Sequence, residues 1–197
     1  FAIRCAERGK PNIATEKDGD QAIWYGDCIE IELASDAHSY YQIAINPAGA
    51  VVDLDRGAPR RQWFNWSSKA EVATHVADDH WTVEVRLPIT QDANDPLHQI
   101  VGRKPTRSLP WFVNVCRQRV RDSGTEHSAF SPTGTKGFHE PMKFAHFYAG
   151  NSFKFKADPK ATDHIIAGQA AEQFARNRKW AAALDAWWER GAPPAAW

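Results

Sequence analysis

A mainly β, antiparallel fold is predicted for this chain by three features of its first three quarters. Apolar and polar residues alternate with period two, Gly/Pro/Asn clusters separate the alternating runs, and no helical spacing intervenes between them. Strands with one apolar face must bury it against a second sheet, which gives a β-sandwich of jelly-roll or immunoglobulin-like type. The expected organisation is that sandwich over residues 1–150, followed by an α-helical extension over 151–197.

The elements follow in order. Phe1-Ala2-Ile3-Arg4-Cys5 alternates like a strand interior from its first residue, as expected of a processed piece whose earlier strands lie outside it. Ile29, Ile31 and Leu33 point one way, while Cys28, Glu30 and Glu32 point the other. Tyr41, Ile43 and Ile45 repeat the pattern, and Asn46-Pro47-Ala48-Gly49 supplies turn chemistry before Ala50-Val51-Val52, so this pair reads as a hairpin. Trp81, Val83, Val85 and Leu87 form the next stripe, which Pro88 ends. Trp111 to Gln118 is a further strand, and Lys143 to Tyr148 closes the sheet. Beyond residue 151 the spacing changes. Ile166, Ala170 and Phe174, then Trp180, Leu184 and Trp187, recur at three and four, which predicts two helices broken near Asn177. This pair resembles a single tetratricopeptide-like unit, which needs something to pack on and is a candidate partner-binding segment.

Composition narrows the function. The 24 basic and 24 acidic side chains cancel, so there is no general electrostatic grip on nucleic acid or anionic lipid. No apolar run approaches the roughly 20 residues of a membrane-spanning helix. Cys5, Cys28 and Cys116 are too scattered for a disulfide framework or a zinc ribbon and read as buried or half-buried thiols. Nine Trp exceed what a core requires, because a buried indole N–H needs a partner, so some are expected to face a ligand.

The usual catalytic signatures are missing: there is no nucleophile elbow, no H-E-x-x-H, no phosphate loop and no dinucleotide fingerprint. Glu30 and Glu32 share a strand face with backbones about 7 Å apart, but they flank nothing recognisable, and a solvated face is the expectation for Glu32. The eight His residues show no metal-ligand spacing. Oxygen ligands for a hard cation are available at Asp18 and Asp20 in one loop and at Asp53 and Asp55, so calcium is a candidate cofactor.

One stretch is more specific. Ile23-Trp24-Tyr25-Gly26-Asp27-Cys28-Ile29-Glu30-Ile31, then Tyr40-Tyr41-Gln42-Ile43-Ala44-Ile45-Asn46-Pro47-Ala48-Gly49-Ala50, resembles the family 9 carbohydrate-binding modules, which have a DOMON-like β-sandwich. Trp81 to Val85, Phe112 to Arg117, Ser131-Pro132 and Phe138-His139-Glu140-Pro141 up to Phe144 follow in the family's order, so the likeness spans about residues 1–148. It implies a non-catalytic module, usually attached to secreted enzymes of polysaccharide degradation, that holds terminal sugars of a glycan between two aromatic rings. An extracellular, cell-surface or periplasmic location and a structural calcium ion are implied with it.

By position, the resemblance places Trp24 on the first clamp aromatic, Glu30 on the acidic residue that accepts sugar hydroxyls, Asn46 on a hydrogen-bonding amide and Phe138 on the second clamp. Arg117 lies on the strand aligned with the site and could supply a donor fork. The chain departs from the familiar glucan-binding members at Phe138, where they carry Trp, and at Ala44 and Cys116, where they carry Arg and Gln. Those departures favour a competing reading, an interaction domain of a larger surface protein that has lost sugar binding. A third reading is a haem-binding sandwich, for which His139 and Met142 are the suggestive axial pair.

Overall fold

The computed structural model describes residues 1–36, 39–92, 94, 100–135 and 137–148. The helix pair expected at 162–190 lies outside the described residues. Within them the chain is built from two antiparallel sheets and one small parallel pair, with short 3₁₀ turns as its helical segments.

A three-stranded sheet has the order β1-β6-β5, with β1 at Ala2–Ala6, β5 at Glu71–Val76 and β6 at His80–Arg86. A six-stranded sheet runs β10-β9-β2-β3-β4, with β2 at Cys28–Asp36, β3 at Ser39–Ile45, β4 at Val51–Asp55, β9 at Trp111–Arg121 and β10 at Gly124–Ala129. The last strand, β11 at Ala145–Phe147, pairs with the start of β9, so the predicted closing strand joins this sheet. A small parallel pair, β7 at Ile89–Thr90 and β8 at Ile100–Val101, stands apart.

The alternation read from sequence sorts the two faces of the larger sheet. Ile29, Ile31 and Leu33 of β2, Ile43 and Ile45 of β3 and Val113 of β9 are buried in one cluster with Cys5 of β1 and Trp81, Val83 and Val85 of β6. The two sheets therefore share a core, and each fully buried Ile, Leu or Val contributes about 1.5–3 kcal/mol. Trp66 joins this core by stacking on Tyr41, with centroids 4.6 Å apart and planes 24° from parallel.

The other face of the larger sheet is also covered. Cys28, Ala44, Val52 and Leu54 are buried with Ile23, and Trp24 and Trp63 pack on them from two 3₁₀ turns, Gln21–Tyr25 and Arg60–Asn65. Glu32, expected on a solvated face, is consequently 0 % exposed, because loops rather than water lie over this side of β2. All three cysteines are free, buried thiols, and desolvation raises their pKa, that of Cys5 to about 11.

At one end of the sheet, Glu7 is buried among three guanidiniums: Arg117 Nη2 at 3.0 Å, Arg119 Nε at 2.9 Å and Arg121 Nη2. Hydrogen bonding from Arg119 foremost, with Arg121 adding to it, outweighs burial and holds the Glu7 carboxyl at about 2.

Candidate functional site: an aromatic cleft on the outer face of the larger sheet

The site begins with the local structure around Trp24. Asp20 caps the turn Gln21–Tyr25 by accepting the Ala22 N–H, and its other oxygen takes the Thr15 hydroxyl. Gly26 ends the turn where the extended segment 12–14 crosses it: a Cβ there would fall 2.5 Å from the Asn12 carbonyl oxygen, so only glycine permits the crossing. Asp27 then locks the start of β2, accepting from Asn12 N, Val120 N and the Arg121 guanidinium. The Gln118 amide donates to the carbonyls of Trp24 and Gly26 at 2.8 and 3.1 Å. The backbone that carries Trp24 is thus held from both the turn and β9.

A hydrogen-bonded relay crosses the sheet from that indole. Trp24 Nε1 donates to Glu30 Oε1 at 3.0 Å, and Gln42 Nε2 donates to Glu30 Oε2. Gln42 Oε1 accepts from Arg56 Nε at 2.7 Å, which fixes the orientation of the amide. The Arg56 guanidinium lies over the Trp63 ring, 4.2 Å from its centroid, and the Trp63 indole donates to the Ala58 carbonyl at 2.8 Å. Beside the relay, His139 Nδ1 lies 3.0 Å from the Tyr40 hydroxyl and 2.9 Å from Glu32 Oε1. Its Nε2 faces Arg56 at 3.4 Å. Burial foremost, and the Glu32 charge next, push the Glu30 carboxyl above its ordinary range, while Trp24, Gln42 and His139 pull the other way. Burial likewise raises Glu32.

These groups line a cleft of about 420 Å³. Glu30, Gln42, Arg56, Gln118 and His139 are among its polar side chains, and Trp24, Trp63, Phe64 and Phe138 among its rings. Such a mixture of apolar plates with a few placed donors and acceptors suits a small ligand that has both C–H faces and hydroxyls. A second hollow of similar volume lies against β1, β5 and β6, but no Trp, Tyr or Phe lines it.

The residues singled out in the sequence separate here. Trp24, Glu30 and Phe138 all line the cleft. Phe138, however, is only 6 % exposed and meets the edge of His127 with centroids 5.1 Å apart, so it presents little ring face. Asn46 lies elsewhere: it is buried, its Nδ2 donating to the Thr15 carbonyl at 2.7 Å and its Oδ1 accepting from Ala48 N and Ala50 N, which makes it the brace of the β3–β4 turn. Arg117 is opposite Ile29 in the β2–β9 register, hence on the inner face away from Glu30, and its guanidinium goes to Glu7 and the Ala6 carbonyl.

The aspartates expected as oxygen ligands serve their own backbone. Asp18 accepts from Val51 N, Asp20 caps the turn described above, Asp53 takes Ser68 N and its hydroxyl, and Asp55 takes Gly57 N. None of the four enters the cluster of three metal-capable side chains found among the described residues. His139, considered as a haem ligand, is engaged by Tyr40, Glu32 and Arg56.

Trp63 reads in the sequence only as a loop indole that could approach a ligand, and Phe64, Gln42 and Arg56 are not singled out there. The run Arg60-Arg61-Gln62-Trp63-Phe64, where aromatics adjoin cations in a loop without strand alternation, was the available signal for the first two. Gln42 and Arg56 become visible only through the register that sets Gln42 beside Glu32 and ends β4 next to Arg56.

No family model and no curated protein matches this chain. Among solved structures, it is similar to the crystal structure of a Bacteroides uniformis protein proposed to bind carbohydrate. That likeness has a TM-score of 0.54 at 14% sequence identity and covers 74% of this chain and 70% of that one. It shows a shared fold.

Proposed function

We propose that the protein is a non-catalytic carbohydrate-binding module on a β-sandwich, with the cleft over β2, β3 and β9 as its sugar site. The observation that carries this reading is the placement of a carboxylate, an amide and a guanidinium in one relay between two tryptophans. A pyranose offers C–H groups on its faces for the rings and hydroxyls around its rim for Glu30, Gln42 and Arg56. The fold shared with a protein proposed to bind carbohydrate supports it, as does the resemblance of the Trp24-to-Glu30 segment to family 9 modules. The clamp differs from the family's, because Trp63 and Phe64 offer ring surface where Phe138 does not. A module of this kind belongs in an extracellular, cell-surface or periplasmic setting where glycans are met.

Hydrolysis is disfavoured by the arrangement of acids. Glycosidases flank the scissile bond with two carboxylates, whereas among the described residues Glu30 is the single carboxylate lining the cleft. The competing reading, an interaction domain without sugar binding, draws on the burial of Phe138 and on the apolar Ala44 and Cys116 that stand on either side of Glu30 in the register.

The two readings part in one experiment. Intrinsic tryptophan fluorescence and calorimetric titration against a panel of mono- and oligosaccharides are expected to give a saturable response that Trp24→Ala weakens about tenfold or more. A flat response across the panel from folded protein would overturn the sugar reading.

A further inference from the structure

We propose that Glu30, Glu32 and His139 form a binding site for a divalent transition cation, of which zinc is the best-matched example, at the floor of the cleft. This rests on the three side chains themselves and not on the sugar reading. One potential ligand atom from each lies within 4.8 Å of the other two. Glu32 is the decisive member. It is fully buried, its Oε1 meets a single partner, His139 Nδ1 at 2.9 Å, and its Oε2 has no hydrogen-bond partner. A buried carboxylate left this way is expensive unless a cation or a proton completes it. Folds keep such a group where something is to be bound.

The donor set selects the class of cation. Two carboxylates and an imidazole match zinc and its neighbours, which take nitrogen and oxygen ligands at about 2.0–2.2 Å. Calcium prefers six to eight oxygens and magnesium keeps its waters, so neither matches an imidazole in a tight trio. Charge agrees. Two carboxylates beside a neutral ring carry two negative charges, which one divalent cation cancels. Glu30 can ligate without leaving the relay, since Trp24 and Gln42 occupy two of the roughly four lone-pair sites of a carboxylate. Glu30 and His139 both line the cleft while Glu32 lies beneath it, so the cation would be reached from the cleft. Ligand atoms 4.8 Å apart must close by about an ångström or more to meet a tetrahedral ion. His139, with its side chain 46% exposed, is free enough of the core to move.

The test is chelator-competition titration of EDTA-stripped protein with zinc, and with calcium and magnesium for comparison, in the absence of any sugar. One zinc per chain is expected, bound at least tenfold more tightly than either other ion. Glu32→Gln and His139→Ala should each weaken zinc at least tenfold; His139 is exposed, so its variant stays informative if the buried substitution impairs folding. Absence of stoichiometric zinc uptake, or uptake unchanged in His139→Ala, would overturn the proposal. Failure here with sugar binding intact removes the metal site alone. Zinc uptake with no response to any sugar removes the carbohydrate reading alone.

Discussion

Trp24 Nε1 and Glu30 Oε1 are 3.0 Å apart, joined across the step from a 3₁₀ turn to the second residue after the start of β2. The bond ties the principal ring of the cleft to its acidic floor, so ring and carboxylate should act as one unit. Trp24→Ala removes both the plate and the donor and is expected to weaken sugar binding on the order of tenfold or more, about 1.4 kcal/mol. Trp24→Phe keeps a plate and loses only the donor, so it should retain an intermediate affinity. Calorimetry on both variants checks this, and equal affinities in wild type and Trp24→Ala would place the ligand elsewhere.

Across the cleft, Arg56 rests on Trp63 while donating to Gln42. Trp63→Ala should release the guanidinium and let the Gln42 amide drift from Glu30. The cation–π contact contributes about 0.5–1 kcal/mol, and the packing of the ring on the outer cluster and its bond to the Ala58 carbonyl add to it, so the loss in folding stability should exceed that figure. A loss of sugar affinity in protein that is still folded is a separate effect, because ring and donor leave the cleft together. Denaturant titration and calorimetry on one preparation separate the two effects.

Asn46 and Arg117 provide the contrasting case. Asn46→Ala leaves the Thr15 carbonyl and two backbone N–H groups without their amide partner, and should destabilise the fold by roughly 2–4 kcal/mol. Its sugar dissociation constant should remain that of wild type under conditions where it is folded. Arg117→Met should behave the same way. A specific loss of affinity in either variant, at unchanged stability, would return that residue to the site.

Why the sequence showed one face of β2 so clearly and misjudged the other follows from what covers each. The inner face meets another sheet, so Ile29, Ile31, Leu33 and their counterparts on β3 and β6 obey a strict alternation that any reader of the sequence can see. The outer face meets 3₁₀ turns and loops, whose residues carry no period, so nothing in the sequence signals that Glu32 and Gln42 are buried there. β10, Gly124-Thr125-Glu126-His127-Ser128-Ala129, has no sequence signal for a related reason: as an exposed edge strand it carries no apolar stripe. Arg117 was misplaced by one residue of register. Its neighbour Cys116 is the position beside Glu30, and a shift of one reverses the face. Trp24 and Glu30 were legible because a local motif, including Gly26 and Asp27, sets their geometry within seven residues.

Stability should depend on pH through Glu7. Its carboxyl is held at about 2 by Arg119 and Arg121, against about 4.3 in an unfolded chain. A lowered folded pKa means the unfolded state binds more protons in the interval between the two values. The stabilisation is therefore complete above about pH 4.3 and is lost as pH falls toward 2. Glu7→Gln should remove this acid limb and lower stability at pH 7 by roughly 2–3 kcal/mol, less than the 3–5 of a wholly buried pair because the arginines are partly exposed. Urea unfolding from pH 2.5 to 7 checks both parts.

Glu32 should act with the opposite sign. Burial raises its folded pKa above the unfolded value, so as pH rises past about 4.3 the unfolded chain gives up this proton first. The metal-free protein should therefore lose stability as pH climbs from that value toward the raised folded pKa, and the deficit should persist at higher pH. Glu32→Gln carries no proton to lose, so its stability should be flatter over the same interval and its melting temperature at pH 7 to 8 should match or exceed that of the metal-free wild type. Zinc should reverse the order by raising the melting temperature of wild type alone, because it binds the deprotonated carboxylate that is otherwise disfavoured. Thermal melts of both proteins with EDTA and with zinc, from pH 4.5 to 8, give the four curves. A Glu32→Gln variant less stable than metal-free wild type at pH 8 would show that His139 already compensates the buried charge.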